Sequence, residues 1–299
     1  MNRLNYEKVF KTLVEETGNY LVNHSLRAMV LGVSGGIDST VVAAICCEVN
    51  KQTNIPLIGR SLPIKNKKDE FDVSKLVGEA FCNNFDVANL YDEYKCFLSG
   101  LVWREERIDL LDDTETMHPE KSKQQTLIAN GNIQARLRMI YLYNLASIHN
   151  GLVMSTDNQT EYQLGFWTIH GDVGDFDPIQ DLWKTEVYQL AEWLKLFYYT
   201  DGDDADKAVA IGESIKLTPT DGLGISNSDL DQIGAKSYND VDRVLQTLVC
   251  PASTENDRVQ DALTVEIGPE IIDKIIKRRR NSRFKREKSP IYISRERYE

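Results

Sequence analysis

VLGVSGGIDSTVVAAI, residues 30–45, sets an apolar run against a second, helix-like run across a turn made of Ser34, Gly35, Gly36, Ile37, Asp38 and Ser39. A buried strand that turns within a few residues into a buried helix is the opening unit of a parallel α/β sheet. Ligands of such sheets sit beyond the carboxyl ends of the strands, and this turn lies at one. Gly35 and Gly36 let the backbone approach an anion and take φ > 0 where required. The following helix offers unpaired N–H groups and the positive end of its dipole, while Ser34 and Ser39 add hydroxyls. The turn is therefore suited to phosphate. It is neither a GxxxxGK[ST] loop, whose lysine is missing, nor a GxGxxG loop.

Outward from this turn, the pattern alternates. Leu4–Val22 has helical spacing and leads into the strand Met29–Val33; Thr40–Val49 reads as a buried helix. Ile55–Leu62 and Phe85–Leu90 are strand candidates flanking a helix at Phe71–Phe81, and a long helix over Thr126–His149 carries an apolar stripe of Ile133, Leu137, Ile140, Tyr141, Leu145 and Ile148. Leu152–Ser155 is a further short strand, Thr185–Phe197 a helix, and the last third is helical, ending in the basic run Lys277–Lys288. The expectation is one α/β domain over residues 1–299, a doubly wound, mainly parallel, Rossmann-like sheet with helices on both faces. Exposed insertions are expected near 104–123, which is charged and aperiodic, and near 200–207, which is acidic and turn-rich.

The net charge of −11 opposes a polyanion or membrane-surface partner, so neither nucleic acid nor membrane is expected. Five cysteines without a CxxC pair suggest neither a disulfide framework nor a zinc site, and four histidines show no ligand spacing. The amphipathic start lacks a signal-peptide pattern, and no apolar run is long enough for a bilayer, so the expected location is cytoplasmic.

Ser34-Gly35-Gly36-Ile37-Asp38-Ser39 resembles the SGGxDS signature of the ATP pyrophosphatases, a group that includes the NAD, GMP and asparagine synthetases. The segments 62–72, 131–144, 155–187 and 281–290 resemble, in order and spacing, the ammonia-dependent NAD synthetases. That resemblance implies an adenine-nucleotide-hydrolase-like fold and a homodimer holding its dinucleotide at the subunit interface. It also implies a reaction in which the carboxylate of deamido-NAD+ attacks the α-phosphorus of ATP to give an acyl-adenylate and pyrophosphate. Ammonia then displaces AMP to give NAD+. The glycine turn would grip the departing pyrophosphate, with Mg2+ and a distant lysine neutralising charge.

Residue by residue, the resemblance assigns ATP to Gly32, Val33, Ser34, Gly35, Gly36, Ile37, Asp38, Ser39, Thr156, Lys184 and Thr220. It assigns Mg2+ to Asp38 and Glu161, two hard carboxylates that follow strand ends and could meet at one ion. Lys184 opens a helix, where a cation is unfavourable unless an anion compensates it. The resemblance gives it the developing charge on the phosphates. Arg136 and Arg138 point about 200° apart on a helix, so only one can face the site; the resemblance selects Arg136 for deamido-NAD+ and leaves Arg138 to structural pairing. Asp175 corresponds to a substrate-binding acid, with Asp177 as its rival, and Asp172 is a candidate to take a proton from ammonium.

Two positions depart from the pattern: Ile169 stands where many relatives carry a substrate-contacting lysine, and Phe284 replaces the histidine before the retained Lys285. Both bear on contacts to the dinucleotide rather than on the activation chemistry. The rival readings are another pyrophosphatase-family amidotransferase or thiolase, such as a GMP synthetase or tRNA-modifying enzyme, and a nucleotide-binding homologue without activity. Thiolation calls for reactive cysteines and a basic face, which the sequence does not offer.

Overall fold

A computed structural model of the chain describes residues 4–109, 119–200, 204–219, 229–249 and 264–287. Helix α1 (Tyr6–Asn23), capped by the Asn5 side chain, leads into strand β1 (Ala28–Gly32). Then follow α2 (Ile37–Thr53), β2 (Leu57–Ser61), α3 (Lys68–Phe81), β3 (Asn84–Val87), α4 (Tyr91–Asp109), α5 (Pro119–His149) and β4 (Gly151–Val153). The four strands are parallel, in the order β3-β2-β1-β4.

Strand parity explains the two layers. Met29, Leu31 and Val33 point into a core shared with α1, α2 and α3, whereas Ala28 and Val30 face the core under α5. Helices therefore cover both faces of the sheet, as a parallel sheet requires. Helix α2 has ten of its residues buried and so reads as apolar almost all round. It is covered by α1, by α7 (Lys184–Thr200) and by α8 (Ala205–Lys216).

The chain moves one way from β1 through β2 to β3, then returns across α4 and α5 to place β4 on the other side of β1. The crevice between the carboxyl ends of β1 and β4 is thus the switch point where this architecture binds ligands. Segment 174–176 runs beside β4: Asp175 N–H donates to Val153 O at 2.7 Å, and Ser155 N–H to Phe176 O at 2.8 Å. A third, smaller core joins α6 (Gln159–Leu164), α9 (Asp229–Ile233), α10 (Tyr238–Val249) and α11 (Pro269–Asn281) through Leu164, Ile233, Val241, Leu245 and Ile275.

Two sequence expectations change. On α5 the buried face is Ala135, Met139, Leu142 and Ala146, while Ile140 and Ile148, assigned to the inner stripe, are each 66% exposed. Apolar residues surround this helix, so periodicity cannot select a face. Close approach does: Leu142 lies 3.1 Å from where a Cβ on Gly32 would sit, and small alanines fit against the sheet. The 104–123 stretch is helical at both described ends, in α4 and α5, and residues 110–118 lie outside the described residues. Around 200–207, residues 201–203 lie outside the described residues; Thr200 closes α7, and Asp204 caps α8 by accepting from Lys207 N–H, with the Lys207 side chain buried rather than displayed.

Candidate active site

Gly36 is the N-cap of α2 and has an extended backbone, with no side chain satisfying the helix's first N–H groups. These groups face a cavity of about 640 Å3 lined by Ser34, Gly36, Ile37, Asp38 and Ser39. Gly35 has φ +84° and passes over the backbone of α3. The turn is braced from within: Ser34 and Ser39 hydroxyls lie 2.9 Å apart, Gly36 N–H donates to Ser34 Oγ, and the Ser39 and Thr40 hydroxyls both donate to Gly36 O. Thr40 is also tied to Ser214 of α8 at 2.7 Å. Ser34 is the exposed hydroxyl; Ser39 is buried and mainly holds the turn's shape. Val33 and Ile37 bury their side chains, so they can offer a ligand only backbone.

Asp38 and Glu161 do converge, and the cation between them is Lys184. Its Nζ donates to Asp38 Oδ2 at 2.5 Å and to Glu161 Oε1 at 3.0 Å, with the lysine side chain 2% exposed. Burial alone would lower the Lys184 pKa, but Asp38 and Glu161 outweigh it and hold the ammonium well above the ordinary lysine value. Asn158 completes the arrangement. It caps α6, exchanges hydrogen bonds with Glu161, and donates through Nδ2 to Asp38 Oδ1 at 2.9 Å. The sequence reading missed Asn158, although an Asn three residues before a Glu is a legible capping box.

Three further acids lie below this group. Asp172 accepts from Thr168 N–H at 2.7 Å, and burial raises its pKa. Asp157 is bonded by Ser155 Oγ, and burial with the neighbouring Glu161 pushes it well up. Asp177 accepts from Ile179 N–H through Oδ1; burial lifts its pKa to about 7, and its buried Oδ2 has no hydrogen-bond partner among the described residues. A carboxyl with a raised folded pKa holds its proton more tightly in the fold. Its contribution to stability is therefore complete below the unfolded value near 3.8 and lost as pH rises through about 7. The ligand-free protein is expected to lose on the order of 2–4 kcal/mol from this site between pH 4 and 8. Urea midpoints across that range check it: Asp177→Asn should flatten the profile, and an unchanged profile would refute the assignment.

A second cavity of about 260 Å3 opens behind the turn, between the tips of β1 and β2, lined by Gly32, Val33, Ser34, Leu62, Arg138 and Thr156 among others. Arg138 donates to Leu62 O and Asn66 Oδ1 at its wall, and burial lowers its pKa to about 10. Arg138 was assigned to structural pairing alone; the structure adds a cavity-lining position. A third cavity of about 850 Å3 lies outside α5 and holds Arg136, Ile169, Phe284 and Lys285. The two arginines diverge as helix geometry requires. Arg136 donates to Ile169 O at 3.0 Å, and Lys285 Nζ donates to the carbonyls of Gly165 and Trp167. Trp167 and Lys285 line both the first and third cavities, and Thr156 and Asp172 both the first and second. Asp175 is held by Tyr143 Oη–H and Val153 N–H, each 3.1 Å away, outside the lining of all three cavities. Thr220 lies outside the described residues. Arg278, also unpredicted, stacks 3.9 Å over the Phe166 ring at the wall of the first cavity.

The site thus joins an anion cradle, a buried lysine shared by two carboxylates, and three connected hollows. Among solved structures, the NMN synthetase of Francisella tularensis shares the fold with a TM-score of 0.71 over 98% of this chain and 100% of its own, at 23% identity. The NH(3)-dependent NAD(+) synthetase of Pyrococcus furiosus is 28% identical across 96% of this chain and 94% of its own length. That of Thermoplasma acidophilum is 35% identical across 77% and 80%. The NAD synthase family model matches residues 9–289, from the first helix to the end of the basic run, and the chain belongs to that family.

Proposed function

We propose that the chain is a C–N-forming ligase that converts deamido-NAD+, ATP and ammonia to NAD+, AMP and pyrophosphate through an acyl-adenylate. The observation that carries this reading is the placement of Lys184, Asp38 and Glu161 directly beside the open N-terminus of α2. The N–H groups of the first turn of α2, after Gly36, would receive the β and γ phosphates, and Lys184 would balance charge as the bond to the α-phosphorus shifts. The 260 Å3 hollow suits an adenosine, with Leu62 and Met139 as apolar walls. Deamido-NAD+ would enter past Trp167 with the rest of the dinucleotide in the outer cavity by Arg136 and Lys285. Asp172, with its raised pKa, lies where ammonium could lose a proton.

Asp38 and Glu161 fit Mg2+ as hard oxygen donors. Among the described residues no three His, Cys, Asp or Glu converge on a metal, so phosphate oxygens and water would complete the shell. The ion would supply charge neutralisation at the leaving pyrophosphate. We also read the chain as a single domain acting as a homodimer, supported by exposed Ile140, Tyr143 and Ile148 along α5 beside the outer cavity. No described helix is long and apolar enough to cross a membrane; the odd cysteine count and the net charge support a cytoplasmic enzyme without a nucleic-acid partner.

Purified protein incubated with ATP, Mg2+, ammonium and deamido-NAD+ is expected to form NAD+, AMP and pyrophosphate in equal amounts. Formation of ADP and phosphate would overturn the reading. Nicotinic acid mononucleotide belongs in the same assay, because Ile169 and Phe284 put apolar surface in the outer cavity. Its faster turnover would change the acceptor and leave the activation chemistry intact.

A further inference from the structure

We infer that Asp242 and Tyr238 on α10 are positioning residues for Lys184, tying the C-terminal helical layer to the reacting centre. The inference rests on the ligase reading above. Asp242 is 2% exposed and sits at the start of α7 without belonging to it. Its Oδ1 accepts from the Thr160 hydroxyl at 2.5 Å, and its Oδ2 accepts from Thr185 N–H at 2.9 Å. Thr160 Oγ1 in turn accepts from Lys184 N–H at 2.9 Å. One carboxylate from another helix therefore satisfies, directly or through a hydroxyl, the N–H groups of the first two residues of α7. The same carboxylate fixes Thr160, the chain neighbour of Glu161.

Lys184 needs this support. A cation at the first position of a helix meets the unfavourable end of the dipole, and a carboxylate placed there reverses the local field. Four residues before Asp242, on the same face of α10, the Tyr238 ring lies 5.6 Å from Lys184 Nζ. One helix face thus holds both ends of the lysine, Asp242 its main chain and Tyr238 its ammonium. Helix α10 is packed through Val241, Val244 and Leu245 into the same small core as α9 and α11. Those helices bring Asp231, Gln232 and Arg278 to the wall of the main cavity. A ligand that touches that wall therefore bears on α11, which packs against the helix that sets Lys184, and on α9, which packs against α11.

The test is steady-state kinetics of Asp242→Asn, Thr160→Val and the double variant with ATP, Mg2+, ammonium and deamido-NAD+. Asn keeps the shape and one acceptor; Val keeps the shape and removes the relay hydroxyl. Each single variant should lower kcat about tenfold or more, with KM for ATP within about threefold, because the misplacement of a charge-stabilising group is felt mainly in the transition state. The double variant should be no slower than the slower single, since both break one chain of contacts. Tyr238→Leu should lower kcat, and Tyr238→Phe, which keeps the ring, should restore most of it. If Asp242→Asn does not fold, Thr160→Val and the Tyr238 pair carry the test. A kcat within twofold of the parent for a folded Asp242→Asn or Thr160→Val would overturn the inference, as would strictly additive losses. A parent enzyme that forms no NAD+ would instead overturn the ligase reading.

Discussion

Replacing Lys184 with methionine is expected to reduce NAD+ formation at least ~1000-fold while leaving a protein that can still be purified. The size follows from the role: removing one preorganised charge or donor at the point where charge develops typically costs ~100–1000-fold, and Lys184 is a full cation whose side chain is buried. Stability should fall as well, by about 3–5 kcal/mol, because Lys184 is buried against two carboxylates that would be left facing one another. The two losses respond differently to magnesium. Mg2+ can take the place of the missing ammonium between Asp38 and Glu161, so the variant's urea midpoint should rise with added Mg2+ more than the parent's does, while its turnover stays low. Turnover within tenfold of the parent would remove Lys184 from the chemistry. A midpoint indifferent to Mg2+ would show that the two acids do not take Mg2+.

That central trio was within reach of the sequence. Asp38 and Glu161 both follow strand ends, Lys184 opens a helix against its dipole, and parallel sheets gather such positions at one edge. What the sequence did not yield is the direct lysine contact, because two acids at strand tips fit a metal as well as an ammonium. The orientation of α5 was also hidden: Ile140 and Ile148 are as apolar as the residues that are buried, and only the closeness of Gly32 to Leu142 selects the face. Asp242 was out of reach for a different reason. Its partner Thr160 is 82 residues away, and nothing in local spacing announces a carboxylate that caps a helix other than its own. Local signals therefore located the strands, turns and caps, while the contacts that fix Lys184 arise from packing between distant segments.

The two glycines of the turn look alike in the sequence, yet substitution by alanine should separate them sharply. Gly35 has φ +84°, a region that costs an L-residue about 1–2 kcal/mol. A Cβ there would also lie 2.7 Å from Ser74 N and 2.8 Å from Glu70 O, both main-chain atoms of α3. Those atoms cannot swing aside as a side chain would. Ser74 is anchored to β2 through its hydroxyl contact with Ser61 at 2.8 Å, and α3 packs on α8. The turn must therefore lift, adding about 1–3 kcal/mol of overpacking cost and pulling the first N–H groups of α2 away from where the phosphates would bind. Gly35→Ala is expected to lose about 3–5 kcal/mol of stability and to raise KM for ATP more than tenfold. At Gly36 the backbone is extended, and an added Cβ would meet only the Ser34 hydroxyl at 3.3 Å. Gly36→Ala should therefore fold within about 1 kcal/mol of the parent, and any loss should be confined to nucleotide binding, where the methyl group faces the anion. Chemical denaturation and ATP titration of the two variants test the distinction. Equal destabilisation would mean that the turn does not rest on α3. A Gly35→Ala enzyme with the parent's KM for ATP would mean that the cradle formed by this turn is not where the nucleotide's phosphates bind.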